Sequence, residues 1–202
     1  SLACAQHYGF PRIIQAIATD QRDEIWHREH HAPSGTDIDV NKVTYRTPDY
    51  ALSSAQDYCP GETGAAEHVW QATLGPAAVV FVTHPAYASE SEALCPNVWR
   101  GNALLPRVAQ WKDVLIAIHK LSDGSRSHES SIGFTHAYFP LYAFDDYEIR
   151  DGWAFARKGD GYLALTASGR LELVEEGTYA LRELRSFGEH NVWLCHMGRA
   201  AL

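Results

Sequence analysis

From Lys42 onward the chain keeps breaking into short runs in which apolar and polar residues alternate, and turn-forming residues end each run. Alternation with a period of two marks strands that bury one face, and a chain built this way has few folds open to it. "KVTYRT" sets Val43 and Tyr45 against Thr44 and Arg46, a Pro-Asp turn follows, and "YALSSAQDY" returns. "HVWQATLG" is a third strand. "AAVVFVTHP" is continuously apolar and reads as a central strand, and "DVLIAIHKL" reads as another buried one. "DGWAFARKGDGYLALTA" is the clearest hairpin, two aromatic-bearing strands joined through Gly159, Asp160 and Gly161. "RLELVEE" and "HNVWLCHMG" close the series, with residues 88–106 and "SDGSRSHESS" as long loops. Many closely spaced strands with little helix predict a mainly-β protein, an antiparallel β-sandwich.

Before Lys42 the pattern differs. "FPRIIQAIATD" (10–20) predicts a helix, with Pro11 near its first position and Ile13, Ile14 and Ile17 on one face. Residues 24–41, "EIWHREHHAPSGTDIDVN", read as a polar, histidine-rich connector. The division expected is an N-terminal helix and connector over 1–41 and a sandwich domain over 42–202. The first residue is not Met and the last residues are "MGRAAL", so a fragment is expected, its sandwich truncated at the C-terminal end. A hydrophobic share of 46% against 21% charged residues supports a sizeable core. A net charge of −8 without a basic patch in sequence argues against nucleic acid as a partner. The longest apolar run is too short to cross a membrane, and the first residues lack a signal-peptide pattern. Cys4, Cys59, Cys95 and Cys195 form no Cys-x-x-Cys pair, so free, mostly buried thiols are expected rather than a zinc knuckle.

Four stretches bear on chemistry. "HREHH" holds His27, His30 and His31 but departs from the His-Glu-x-x-His pattern, so solvated or salt-bridged histidines are expected there rather than a metal site. His84 sits where a core strand emerges into a loop, a place for a proton-transfer or orienting group and equally for a capped core histidine. The 95–107 loop carries Asn97, Trp99, Arg100, Asn102 and Arg107. An indole face, amides and guanidinium forks suit a sugar that bears a carboxylate, while the plain alternative is a loop pinned by one tryptophan. In "GFTHAYFPLYAF" alternation places Phe134, His136 and Tyr138 on one face. An imidazole and a phenol so placed can exchange protons with one ligand, or they simply pack. His190 and His196 share a strand face too far apart to hold one metal ion. No Gly-x-Ser-x-Gly or Cys–His signature supports hydrolase chemistry.

Taken together, "VNKVTYRTPDYALSSAQDY", "HVWQATLGPAAVVFVTHP", "NVWRGNALLPRVAQWKDVLIAIHKL" and "RKGDGYLAL" resemble the β-domain of large bacterial proteins related to the heparinase II/III-like polysaccharide lyases, over most of residues 40–198. The resemblance implies an α/α-toroid joined to an antiparallel β-sandwich. It also implies β-elimination of uronic-acid polysaccharides, in which tyrosine and histidine exchange protons and Asn or Arg neutralises the carboxylate. On this chain it points to His136, Tyr138 and His84 for proton transfer, and to Asn97, Trp99, Arg100, Asn102 and Arg107 for substrate contact. It implies an acidic polysaccharide as partner, a missing helical domain of the same chain, and a secreted or periplasmic location. No cofactor is required, with a structural metal ion on His84 as an option. The family's histidine–aspartate–glycine signature is absent here. The rival reading is a non-catalytic carbohydrate-binding or structural β-domain of a larger enzyme.

Overall fold

The computed structural model describes residues 11–20, 22–31, 39–87, 90, 95–120, 132–188 and 190–200. A short helix, α1 (Arg12–Ala18), precedes the strands β1 (Ile25–His31), β2 (Val40–Arg46), β3 (Ala51–Gln56), β4 (Trp70–Thr73), β5 (Val79–Thr83), β6 (Arg107–Trp111) and β7 (Val114–Lys120). Then come β8 (Phe134–Tyr138), a 3-10 turn over Leu141–Ala143, β9 (Asp146–Arg150), β10 (Trp153–Lys158), β11 (Gly161–Ala167), β12 (Leu171–Leu173), β13 (Glu183–Phe187) and β14 (His190–Arg199). They form two antiparallel sheets, ordered β1-β2-β3-β4-β5-β8-β13-β12 and β6-β7-β14-β11-β10-β9. The expected β-sandwich is what the chain adopts.

Alternation builds the core. Leu52, Ala72, Val80, Val82, Ala137 and Leu184 face inward from the larger sheet and meet Leu115, Ala117, Ala154, Leu163, Leu165, Trp193 and Cys195 from the smaller. Each buried leucine contributes on the order of 2 kcal/mol. Trp193 is fully buried, and its indole N–H donates to Thr135 Oγ1 at 2.7 Å, so a large ring enters the core with no polar atom left unmet.

Four local readings need correction. Residues 25–31, assigned to a polar connector, form β1 and pair with β2 along its whole length. Residues 27–31 of this edge strand are polar and exposed on both faces, so composition disguised it; only the half-buried Ile25 and Trp26 betray it, Trp26 packing edge-on against Trp111 at 4.3 Å. His27 meets Glu29, and His30 meets Asn41 and Asp39, as expected of solvated histidines. β7 is buried on one face only, because Ile116 and Ile118 lie on the outer face and hide the alternation. β6, β9 and β13 escaped the sequence reading, since "RVAQW", "DYEIR" and "ELRSF" are short and charged. The expected helix is present as α1, with Ile13 and Ile14 exposed; the Ile17 side chain lies outside the described residues. The three described cysteines are free, as expected, but only Cys195 is fully buried and Cys95 is exposed. Cys4 lies outside the described residues.

Candidate functional site

β5, β8 and β13 lie side by side, with Thr83 opposite His136 and His136 opposite Arg185. Val82, Ala137 and Leu184 point into the core, so alternation sends Phe81, Phe134, His136, Tyr138, Glu183 and Arg185 to the outer face. The expected sharing of a face by Phe134, His136 and Tyr138 is present. The loop from Cys95 folds over this face and seals it. Trp99 lies parallel to the His136 ring at 4.2 Å, and the Val98 carbonyl accepts from His136 Nε2 at 2.5 Å and from Thr83 Oγ1 at 3.3 Å. On the other side His136 Nδ1 meets Glu183 Oε1 at 2.8 Å, and Arg185 holds the same carboxylate with Nε at 2.7 Å and a second nitrogen at 3.1 Å.

Both ring nitrogens of His136 face acceptors, a carbonyl and a carboxylate. Filling both contacts takes a proton on each ring nitrogen, a charge that burial opposes. Burial lowers the His136 pKa against the pull of Glu183 and the Val98 carbonyl. Burial also opposes ionisation of Glu183, but the bonds from His136 and Arg185 outweigh it and lower its pKa. His136 is wholly buried, so in this state its bonds fasten the Trp99 loop to the sheet.

The other expected residues divide between pins and surface groups. Asn97 is buried, and its side-chain oxygen accepts from the backbone N–H of Trp99 and of Arg100. Asn102 is buried too, accepting from the His84 N–H at 2.9 Å and donating to the Glu67 carbonyl at 3.1 Å. Gly101 makes this crossing possible: it has a φ of +81°, and a Cβ there would lie 2.1 Å from the Gly64 carbonyl oxygen. Arg100 is exposed, and Arg107 is exposed with Asp57 at 3.8 Å. Tyr138 is pushed up to about 12 by burial and by its bond with Tyr142, whose hydroxyl lies at 3.1 Å. His84 is fully buried beyond the end of β5, and His119 is fully buried on the inward face of β7. Among the described residues neither ring of this pair has a hydrogen-bond partner within normal geometry. Burial pushes His84 down to about 4, partly offset by the Ile132 backbone, and pushes His119 down to about 3 with help from His84 and His136. Among the described residues no three His, Cys, Asp or Glu side chains are grouped to hold a metal ion.

A second feature lies on the outer face of the smaller sheet. Phe155 and Arg157 alternate with the buried Ala154 and Ala156 along β10. Glu148, Phe155, Ala164 and His196 form one row across β9, β10, β11 and β14, and Asp146, Arg157, Tyr162 and Gly198 form the next. Where Ala164 and Gly198 meet, the sheet surface is bare, and taller side chains around it leave a groove of about 400 Å³. A Cβ at Gly198 would meet nothing within 4 Å, so its missing side chain leaves open space. Tyr162 is 44% exposed beside this floor, and Trp153 stacks on Phe155 at 6.0 Å to extend the aromatic surface. The sequence reading missed this site although its signal was present, in "WAFAR" and "YLAL", whose outward positions are aromatic, charged or small.

No family model matches this chain, and neither curated proteins nor solved structures yield a match. The likeness to the heparinase II/III-like lyases therefore rests on the quoted segments alone.

Proposed function

We propose that this domain binds a polysaccharide chain in the groove on the outer face of the smaller sheet. The carrying observation is the bare floor of Ala164 and Gly198 beside the exposed ring of Tyr162. Sugar recognition needs a flat apolar surface for a pyranose face and polar groups at its rim for hydroxyls. Tyr162 and Phe155 supply the first, and Asp146, Glu148, Arg157 and His196 supply the second. Two carboxylates against one guanidinium favour an uncharged sugar at this position. Affinity electrophoresis through gels loaded with neutral or acidic polysaccharides tests the reading. Retardation by at least one polysaccharide is expected, weakened about tenfold, or about 1.4 kcal/mol, in Tyr162→Ala. A protein that runs unretarded in every gel would defeat the proposal.

The β-elimination reading draws support from His136 and Tyr138, which share one face under the Trp99 loop. Binding stands ahead of it because His136 is sealed with both nitrogens engaged, and because a phenol pushed up to about 12 is a poor proton acceptor at neutral pH. Ultraviolet absorbance of an unsaturated uronate, present with the native chain and lost in His136→Ala and Tyr138→Phe, would reverse that order.

A further inference from the structure

Edge strand β9 separates the groove from a second hollow of about 490 Å³. Its walls are Tyr142 from the 3-10 turn, Tyr147 from β9, and Leu181 and Arg182 ahead of β13. Tyr147 borders both hollows. Along β9 it alternates with Asp146 and Glu148, so it faces away from the carboxylates of the groove. Tyr142 is 68% exposed, and Tyr147 and Leu181 are 49% exposed each.

The charge of this hollow differs from that of the groove. Among the described residues, Arg182 is the only charged one lining it. Its guanidinium donates to the Thr178 carbonyl, and among the described residues it makes no ion pair. Leu181 adds an independent sign. Its φ is +59°, a conformation costly for a bulky side chain, and exposure leaves that side chain little packing of its own in return. Main-chain bonds hold it there, from Leu181 N–H to the Val174 carbonyl at 2.7 Å and from Leu141 N–H to the Leu181 carbonyl at 3.0 Å.

We propose that this hollow is a second subsite, which takes an anionic sugar residue, carboxylated or sulfated, from a chain whose uncharged neighbours occupy the groove. This rests on the groove being a carbohydrate site. The bound chain turns around β9, whose outer edge is unpaired in the sheet and offers backbone groups to sugar hydroxyls. Tyr142 and Tyr147 give rings for stacking, and Arg182 gives the fork that matches a carboxylate or sulfate.

Isothermal calorimetry with uncharged, uronate and sulfated oligosaccharides of increasing length tests it. The longer anionic oligosaccharides are expected to bind about tenfold tighter than uncharged ones, and the series that carries the preference names the anion. Arg182→Gln should erase most of that ratio. Leu181→Gly should raise Tm by about 2–4 °C by relieving the backbone while weakening anionic binding, a pairing that a purely structural leucine would not give. Binding without an anionic preference, or a preference unchanged in Arg182→Gln, overturns the second subsite and leaves the groove standing. No binding by any series overturns both.

Discussion

Moving the protein from near pH 7.5 to pH 5 should remove about 4 kcal/mol of stability through His84 and His119 alone. In the unfolded chain each imidazole titrates near its ordinary 6.5, while in the folded protein burial holds them at about 4 and about 3. At pH 5 an unfolded histidine is almost fully protonated and these two are still neutral, which favours unfolding by about 2 kcal/mol per histidine. The sign is fixed by the direction of the shifts. The unfolded chain binds more protons, so stability is full above the unfolded value and falls as pH drops through 6.5 toward the folded values. Below about pH 6 the two together give a slope approaching 2.7 kcal/mol per pH unit. Urea unfolding near pH 7.5, 6 and 5, at constant ionic strength, measures it directly. His119→Leu should roughly halve the slope. It should also hold or raise stability at pH 7.5, because it removes two buried nitrogens that have no hydrogen-bond partner among the described residues. A stability constant from pH 7.5 to 5, or an unaltered slope in His119→Leu, would refute the reasoning.

Two further perturbations probe the sealed face. Glu183→Gln leaves His136 and Arg185 without their carboxylate and should cost about 3 kcal/mol in urea unfolding; a loss below about 0.5 kcal/mol would mean the pair is not buried as described. Gly101→Ala places a methyl 2.1 Å from the Gly64 carbonyl oxygen on a backbone at +81°. It should destabilise by about 2 kcal/mol or more and expose the Trp99 loop to limited proteolysis, whereas wild-type protection would contradict the tight crossing.

The sandwich was legible because its core strands alternate, and alternation reports a buried face directly. β1 was not, since beyond Ile25 and Trp26 its residues meet solvent on both sides and show no apolar face. β7 misled in the opposite sense, for Ile116 and Ile118 fill its solvent face and mimic a central strand. The clustering of Phe134, His136 and Tyr138 could be foreseen, because it depends only on neighbours in one strand. That Glu183 and Arg185 would join His136 could not, since the pairing of β8 with β13 brings together residues far apart in sequence. Asn97 and Asn102 have the chemistry of sugar ligands, yet that same hydrogen-bonding capacity fastens their loop. Sequence reports which groups a side chain can bond, not whether the fold has already used them. The groove depends on four strands lining up two small residues, a coincidence of register that the separate segments do not reveal.

Gly198→Phe tests the central claim most directly. Gly198 lies opposite Tyr162 in β14, and its Cβ position is open. The phenyl ring therefore fills the groove without straining the sheet, and stability should hold or rise by about 0.5–1 kcal/mol as a strand glycine is replaced. Calorimetry with a polysaccharide that the wild type binds, run beside urea unfolding of both proteins, gives the two readouts together. Intact stability with binding lost at least tenfold is the result the account predicts. Equal affinity in the two proteins would contradict it and move any carbohydrate site off this face.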